Sequence, residues 1–134
     1  MLYKASIDNI TTEMLEGFFV GWINPPNPEI HLKLLKNSDK FVIAIDDRTN
    51  KVVGFVTAIS DGVLSAYIPF LEVLPEYQNK GIGKELVYRI LKELEDIYMI
   101  DLICDKNLQP YYEDFGMIKS TGMIIRNHKK QSGK

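Results

Sequence analysis

The stretch LEVLPEYQNKGIGK, Leu71 to Lys84, decides how the rest of the chain is read. An apolar run reaches Val73, Pro75 ends it, and a polar turn containing Gly81 and Gly83 follows. Beyond the turn, Leu86, Val87, Ile90, Leu91 and Leu94 recur at three- and four-residue spacing, which predicts a helix from about Gly83 to Glu95. The order is therefore strand, tight turn, helix. At a helix start several backbone N–H groups lack intrahelical acceptors, and with the positive end of the dipole they bind phosphate oxygens. Gly81 and Gly83 put no Cβ between backbone and ligand, and Lys80 and Lys84 add positive charge. Taken alone, these glycines fit a plain turn with a helix cap better than they fit an anion site. The common ATP/GTP loop does not fit, because its longer glycine spacing is missing and Glu85 follows Lys84 where a Ser or Thr belongs.

Upstream, Phe41–Ile45 and Val52–Ile59 read as buried strands joined by the polar Asp46–Lys51, short enough for antiparallel pairing. Leu64 to Val73 reads as the next strand, with Pro69 marking a bend or a ladder break. Gly54 marks a bulge or a weak point. Nearer the start, Leu2 to Ile7 suggests a first strand, and Thr11 to Glu16 opens a helix whose packing surface is Phe18, Phe19 and Trp22. Pro25, Pro26 and Pro28 interrupt it, and a second helix begins near Glu29. Downstream, the pattern gives a strand over Met99–Cys104, a short helix over Gln109–Phe115 and a last strand over Met117–Ile125. Hairpins followed by one strand–helix–strand crossover predict an α/β chain whose sheet mixes antiparallel and parallel pairs.

At 134 residues the chain has the size of one domain, with residues 129–134 expected to fray. A formal charge of -2 gives no electrostatic reason to expect nucleic acid or an anionic membrane as partner. The basic end, with Arg126, Lys129, Lys130 and Lys134, reads as solvated. Cys104 is the one cysteine and reads as a strand thiol; a hydrolase built on it would need a His and a carboxylate assembled from elsewhere. Asp46 and Asp47 lack the alternating ligands of a calcium loop, so no metal is expected. His31 and His128 carry no signature of a catalytic pair and read as surface or helix residues. Without a signal-peptide core or a span of about 20 apolar residues, a cytoplasmic location is the default expectation.

Val73 and Pro75 to Lys84 resemble the acetyl-CoA motif of the GCN5-related N-acetyltransferase (GNAT) superfamily, whose core turn is Gln/Arg-x-x-Gly-x-Gly/Ala. The resemblance returns at Tyr112, Glu113, Asp114, Phe115, Gly116 and Met117, where Met117 stands in place of the family's Phe. It implies an acyl-CoA N-acyltransferase fold: a mixed, mostly antiparallel central sheet with flanking helices. It further implies acetyl-CoA as cosubstrate, its pyrophosphate held by Gln78, Asn79, Lys80, Gly81, Ile82, Gly83 and Lys84 and its pantetheine arm and acetyl carbonyl by Leu71 and Val73. Tyr112 would protonate the departing thiolate. Glu72 is a candidate to accept the amine proton, with Glu76 second. Alignment of amine and thioester with stabilisation of the developing oxyanion suffices for direct transfer, without an acyl-enzyme. The acceptor would be a primary amine on a small molecule or a peptide. A longer acyl donor, a noncatalytic acyl-CoA-binding module and a homodimer all stay open.

Overall fold

The computed structural model describes residues 1–134. Five strands make one sheet in chain order: β1 (Leu2–Lys4), β2 (Lys40–Asp46), β3 (Lys51–Ser60), β4 (Ser65–Val73) and β5 (Met99–Asp101). The pairings from β1 to β4 are antiparallel, and β4 with β5 is parallel. The helices are α1 (Pro28–Asn37), α2 (Ile82–Glu93) and α3 (Gln109–Glu113). This is the mixed, mostly antiparallel sheet with flanking helices expected from the sequence.

Local chemistry sets the connections. The β2–β3 turn closes with Asn50 in the left-handed region and its N–H donating to the Asp46 carbonyl at 2.7 Å. In the β3–β4 turn, Asp61 Oδ1 accepts from the amides of Val63, Leu64 and Ser65. Asn27 caps α1, its side chain accepting from Ile30 N at 2.9 Å with Pro28 in the first turn.

The sheet is covered on both faces. On one, Ile82 and Leu86 of α2 press against Gly54, where an added Cβ would lie 3.0 Å from Leu86 Cδ1 and 3.3 Å from the Glu72 carbonyl oxygen. Gly54 thus serves close helix–sheet contact. Gly54→Ala is expected to lower stability by about 1–3 kcal/mol, as overpacked cores do, read from the urea midpoint of unfolding.

On the other face, α1 brings His31 against Phe55, with ring centroids 4.3 Å apart and Phe18 and Phe19 closing around it. His31 lies on a helix as expected, yet it is 1 % exposed and neither ring nitrogen has a hydrogen-bond partner. Burial without a partner pulls its pKa down to about 4 from 6.5. Below pH 6.5 the unfolded chain gains a proton that the folded chain refuses until about pH 4, so this group makes stability fall as pH falls through that window. The full loss is about 3 kcal/mol. Denaturant titrations between pH 7 and 5 should show that slope in the wild type and its absence in His31→Leu.

Two sequence expectations are corrected. Thr11 to Trp22 forms only a single 3-10 turn at Glu13–Leu15, because Gly17, Phe19 and Gly21 all adopt positive φ. The amides of Phe19 and Val20 bond to the Glu72 carboxylate instead of to helical carbonyls. The second correction concerns Met117–Ile125, which is no strand: after Gly116 turns with φ 89, none of these residues pairs with β5. The 3-10 turn His128–Lys130 follows, and Gln131 Oε1 accepts from Asn24 N at 2.7 Å.

Candidate active site

The site begins with a fault in the sheet. Opposite Ala58 of β3, strand β4 carries two residues, Ile68 and Pro69, so the register shifts between Thr57–Phe70 and Ile59–Tyr67. Proline has no N–H for a ladder and is tolerated at such a bulge. On the other edge of β4 only Ser65, Ala66 and Tyr67 pair with β5. From Ile68 to Val73 that edge belongs to no ladder, and the sheet opens into a wedge beside Leu71, Glu72 and Val73.

At the end of β4 a 3-10 turn, Pro75–Tyr77, leads into the loop. The Tyr77 hydroxyl donates to Asp46 Oδ2 at 2.7 Å, fastening the turn to the end of β2. That bond, with the Arg48 amide, holds the Asp46 carboxyl down at about 2. Gln78 reaches back, its Nε2 donating to the Val73 carbonyl at 3.0 Å. Asn79 and Gly81 then adopt φ of 62 and 84, and α2 starts at Ile82 with no side-chain cap. The amides of Asn79, Lys80, Gly81, Ile82, Gly83 and Lys84 donate to no acceptor within the protein. They form a run of donors at the positive end of a 12-residue helix. Lys80 lies over the Tyr77 ring at 5.4 Å, and Lys84 is exposed in the first turn. At Gly83 an added Cβ would meet the Tyr111 hydroxyl at 3.1 Å and Val73 Cγ2 at 3.8 Å, so the space before the first helical turn is bounded by β4 and α3.

Helix α3 brings both tyrosines to this end of the molecule. Tyr111 and Tyr112 pack edge to face with centroids 5.0 Å apart. Desolvation first, then the neighbouring Tyr111 and Cys104, push the Tyr112 phenol up to about 12. The Tyr111 hydroxyl stands beside Gly83.

On the opposite face of β4, Phe70 and Glu72 point the same way, two residues apart. Glu72 Oε1 accepts from Phe19 N at 2.8 Å and Oε2 from Val20 N at 3.2 Å. The carboxylate thereby ties the loop of residues 16–24 to the strand, and Phe19, Trp22 and Phe70 form an aromatic wall next to it. Glu76 sits exposed in the 3-10 turn. A charged cleft of about 480 Å³ between β1 and α2, lined by Tyr3, Glu85 and Arg89 among others, shares none of these residues.

A strand that parts from its neighbour, then a run of free amides opening a helix, is what a linear thiol cofactor with a pyrophosphate requires. The Acetyltransferase (GNAT) family model matches residues 7–117. The chain belongs to the GNAT family. Among relatives, it is 31% identical over 124 residues to the uncharacterized N-acetyltransferase ycf52 of Pyropia yezoensis, covering 88% of this chain and 71% of that one. A crystal structure of a protein from Deinococcus radiodurans R1, assigned as an acetyltransferase, superposes with a TM-score of 0.94 at 40% identity, over 98% of this chain and 91% of that one. A GNAT family acetyltransferase from Streptococcus pneumoniae TIGR4 gives a TM-score of 0.75 at 27% identity, over 94% and 97%. GNAT proteins use acetyl-CoA, and the chemistry of the donor run fits it: amides for the pyrophosphate, and at Gly83 a space that a Cβ would narrow.

The structure brings Leu71, Glu72, Val73 and Gln78–Lys84 together at one end of β4, with Tyr112 on α3, next to the Tyr111 whose hydroxyl reaches Gly83. Sequence reading missed Phe70 and Tyr111 as site neighbours and the Tyr77–Asp46 tether. Phe70 had a signal, the two-residue strand period shared with Glu72. The tether had none, because its partners are 31 residues apart.

Proposed function

We propose that the protein transfers the acetyl group of acetyl-CoA directly to a primary amine of a small molecule or peptide. The observation that carries the reading is the run of six unpaired amides, Asn79 to Lys84, placed where β4 parts from β5. Acetyl-CoA supplies a thioester already activated for attack by an amine. The loop amides bind its pyrophosphate, and the unpaired edge at Leu71–Val73 orients the arm and its carbonyl. The amine enters from the side of the aromatic wall, past Phe19, Trp22 and Phe70.

Glu72 has two tasks in this reading. Each of its oxygens holds one loop amide, and a carboxylate has lone pairs beyond those two with which to take the ammonium proton directly or through water. Tyr112 attends the departing sulfur.

The test is release of free CoA thiol from acetyl-, propionyl- and succinyl-CoA against a panel of alkylamines, arylalkylamines and peptides with free N-termini or lysines. Acetyl-CoA with one class of amine is expected to turn over fastest. Tight acetyl-CoA binding with no turnover across the panel sinks the catalytic reading in favour of a binding module, and faster turnover with a longer donor sinks the acetyl assignment.

A further inference from the structure

Residues 117–126 have the composition of a strand and the surroundings of a loop. No backbone group in this arm makes a backbone hydrogen bond. Its apolar side chains face water: Met123 is 96%, Ile118 88% and Ile125 86% exposed, with Ile124 beside them. Single exposed apolar residues are ordinary, but four large ones along ten residues of unpaired backbone make a contiguous sticky edge. The arm is no frayed end. It is held before by Gly116 N on the Glu113 carbonyl at 2.9 Å and after by Gln131 on Asn24.

A complementary edge lies on the same side of the molecule. β5 is the last strand of the sheet and pairs through three residues with β4 alone. From Met99 to Asp105 residues alternate between exposed and half-buried, the two-residue period of a strand, so the extended chain outruns its paired part. Met99 and Ile103 fall on the exposed positions of that alternation, with Asp101 and Asp105. The free N–H and C=O groups of such an edge are a template for another strand. Within its own chain the arm passes Ile103 at Gly122, where an added Cβ would be 3.7 Å from Cδ1, without pairing. Charge matches as well. Residues 117–134 carry five Lys or Arg and no Asp or Glu, whereas Glu95 to Asp105 holds four acidic side chains and no basic one.

We propose that two copies of the chain assemble about a two-fold axis, each laying its arm along the outer edge of the other's β5. Reciprocity makes every contact occur twice, as a closed two-fold interface requires. Each arm adds a strand to the partner's sheet; its face of odd-numbered residues covers Met99 and Ile103 with Met123 and Ile125 and sets Lys119 on the side of Asp101 and Asp105. Helix α3, which carries Tyr111 and Tyr112 and leads into the arm, is then braced by the partner, independently of which amine the protein accepts.

Sedimentation equilibrium of the full chain at micromolar concentration tests this, with amide hydrogen exchange on the same samples. The expected mass is twice that of one chain, with slowed exchange at Met117–Arg126 and Leu102–Asp105. The triple variant Ile118→Asp, Met123→Asp, Ile125→Asp changes side chains that pack on nothing in one chain. It should keep the circular dichroism and melting temperature of a folded monomer while its mass falls by half and arm exchange becomes fast. Reversing the charges of Asp101 and Asp105 to Lys should also favour monomer, and adding Lys119→Glu should shift the equilibrium back toward the dimer. A wild-type monomer overturns the proposal. So does a dimer whose mass the triple variant leaves unchanged, or an arm whose amides are protected in the monomer, which would mean that it closes on its own sheet.

Discussion

Gly83→Val is expected to weaken acetyl-CoA binding by roughly 100-fold while leaving the protein folded. A Cβ at this position lies 3.1 Å from the Tyr111 hydroxyl and 3.8 Å from Val73 Cγ2. The first is the end of a side chain that can swing away, and the second is ordinary contact, so the fold absorbs the change. The ligand space does not, since that Cβ and its methyls stand among the amides of the first helical turn. A hydrogen bond from an amide to a charged oxygen contributes about 1.5–3 kcal/mol. Losing the equivalent of one or two gives roughly 3 kcal/mol, or about a factor of 100 in affinity. Gly81→Val acts differently. Nothing lies within 4 Å of its added Cβ, but φ of 84 strains any branched residue there, so the loop itself must change shape. Titration calorimetry with acetyl-CoA on both variants, alongside thermal melts without ligand, separates the effects. A folded Gly83→Val protein with unaltered affinity would remove the amide cradle from the reading.

How much of this was legible beforehand depends on how local the signal was. The strand, turn and helix around Gln78–Lys84 could be read because apolar period, proline and glycine all act within a few residues. The hairpins were legible for the same reason. The helix expected over Thr11–Trp22 failed because its amides find a better acceptor 53 residues away in Glu72, and no local pattern reports such a bond. His31 looked like a surface residue by type, and only the convergence of Phe18, Phe19 and Phe55 buries it. Met117–Ile125 has strand composition but forms no strand: it passes the chain beyond β5 at Ile103 without a backbone hydrogen bond, and composition does not decide pairing. Glu72 was picked for its place between Leu71 and Val73, the strand residues expected to hold the acetyl group. Its loop-holding contacts become visible only when residues 19 and 20 are brought to it.

Tyr112→Phe is expected to lower kcat by about 100-fold, at the low end of what a positioned acid contributes, with acetyl-CoA affinity unchanged. The size follows from the pKa. At about 12 the phenol keeps its proton throughout the range in which the enzyme is handled. A thiol ordinarily titrates near 8.5, so complete transfer from this phenol to a free thiolate runs uphill by roughly three units. In the proposed reaction Tyr112 therefore acts best by holding its proton in a hydrogen bond toward the sulfur as negative charge grows there, without giving it up entirely. Two consequences can be measured. The rate between pH 7 and 9 should carry no ionisation from this residue, so the ratio of wild-type to Tyr112→Phe kcat stays constant over that range. Tyr111→Phe should behave otherwise, because its hydroxyl stands beside Gly83 at the cradle and the variant alters acetyl-CoA affinity more than kcat. If Tyr111→Phe carries the loss in kcat and Tyr112→Phe turns over normally, the acid has been placed on the wrong ring.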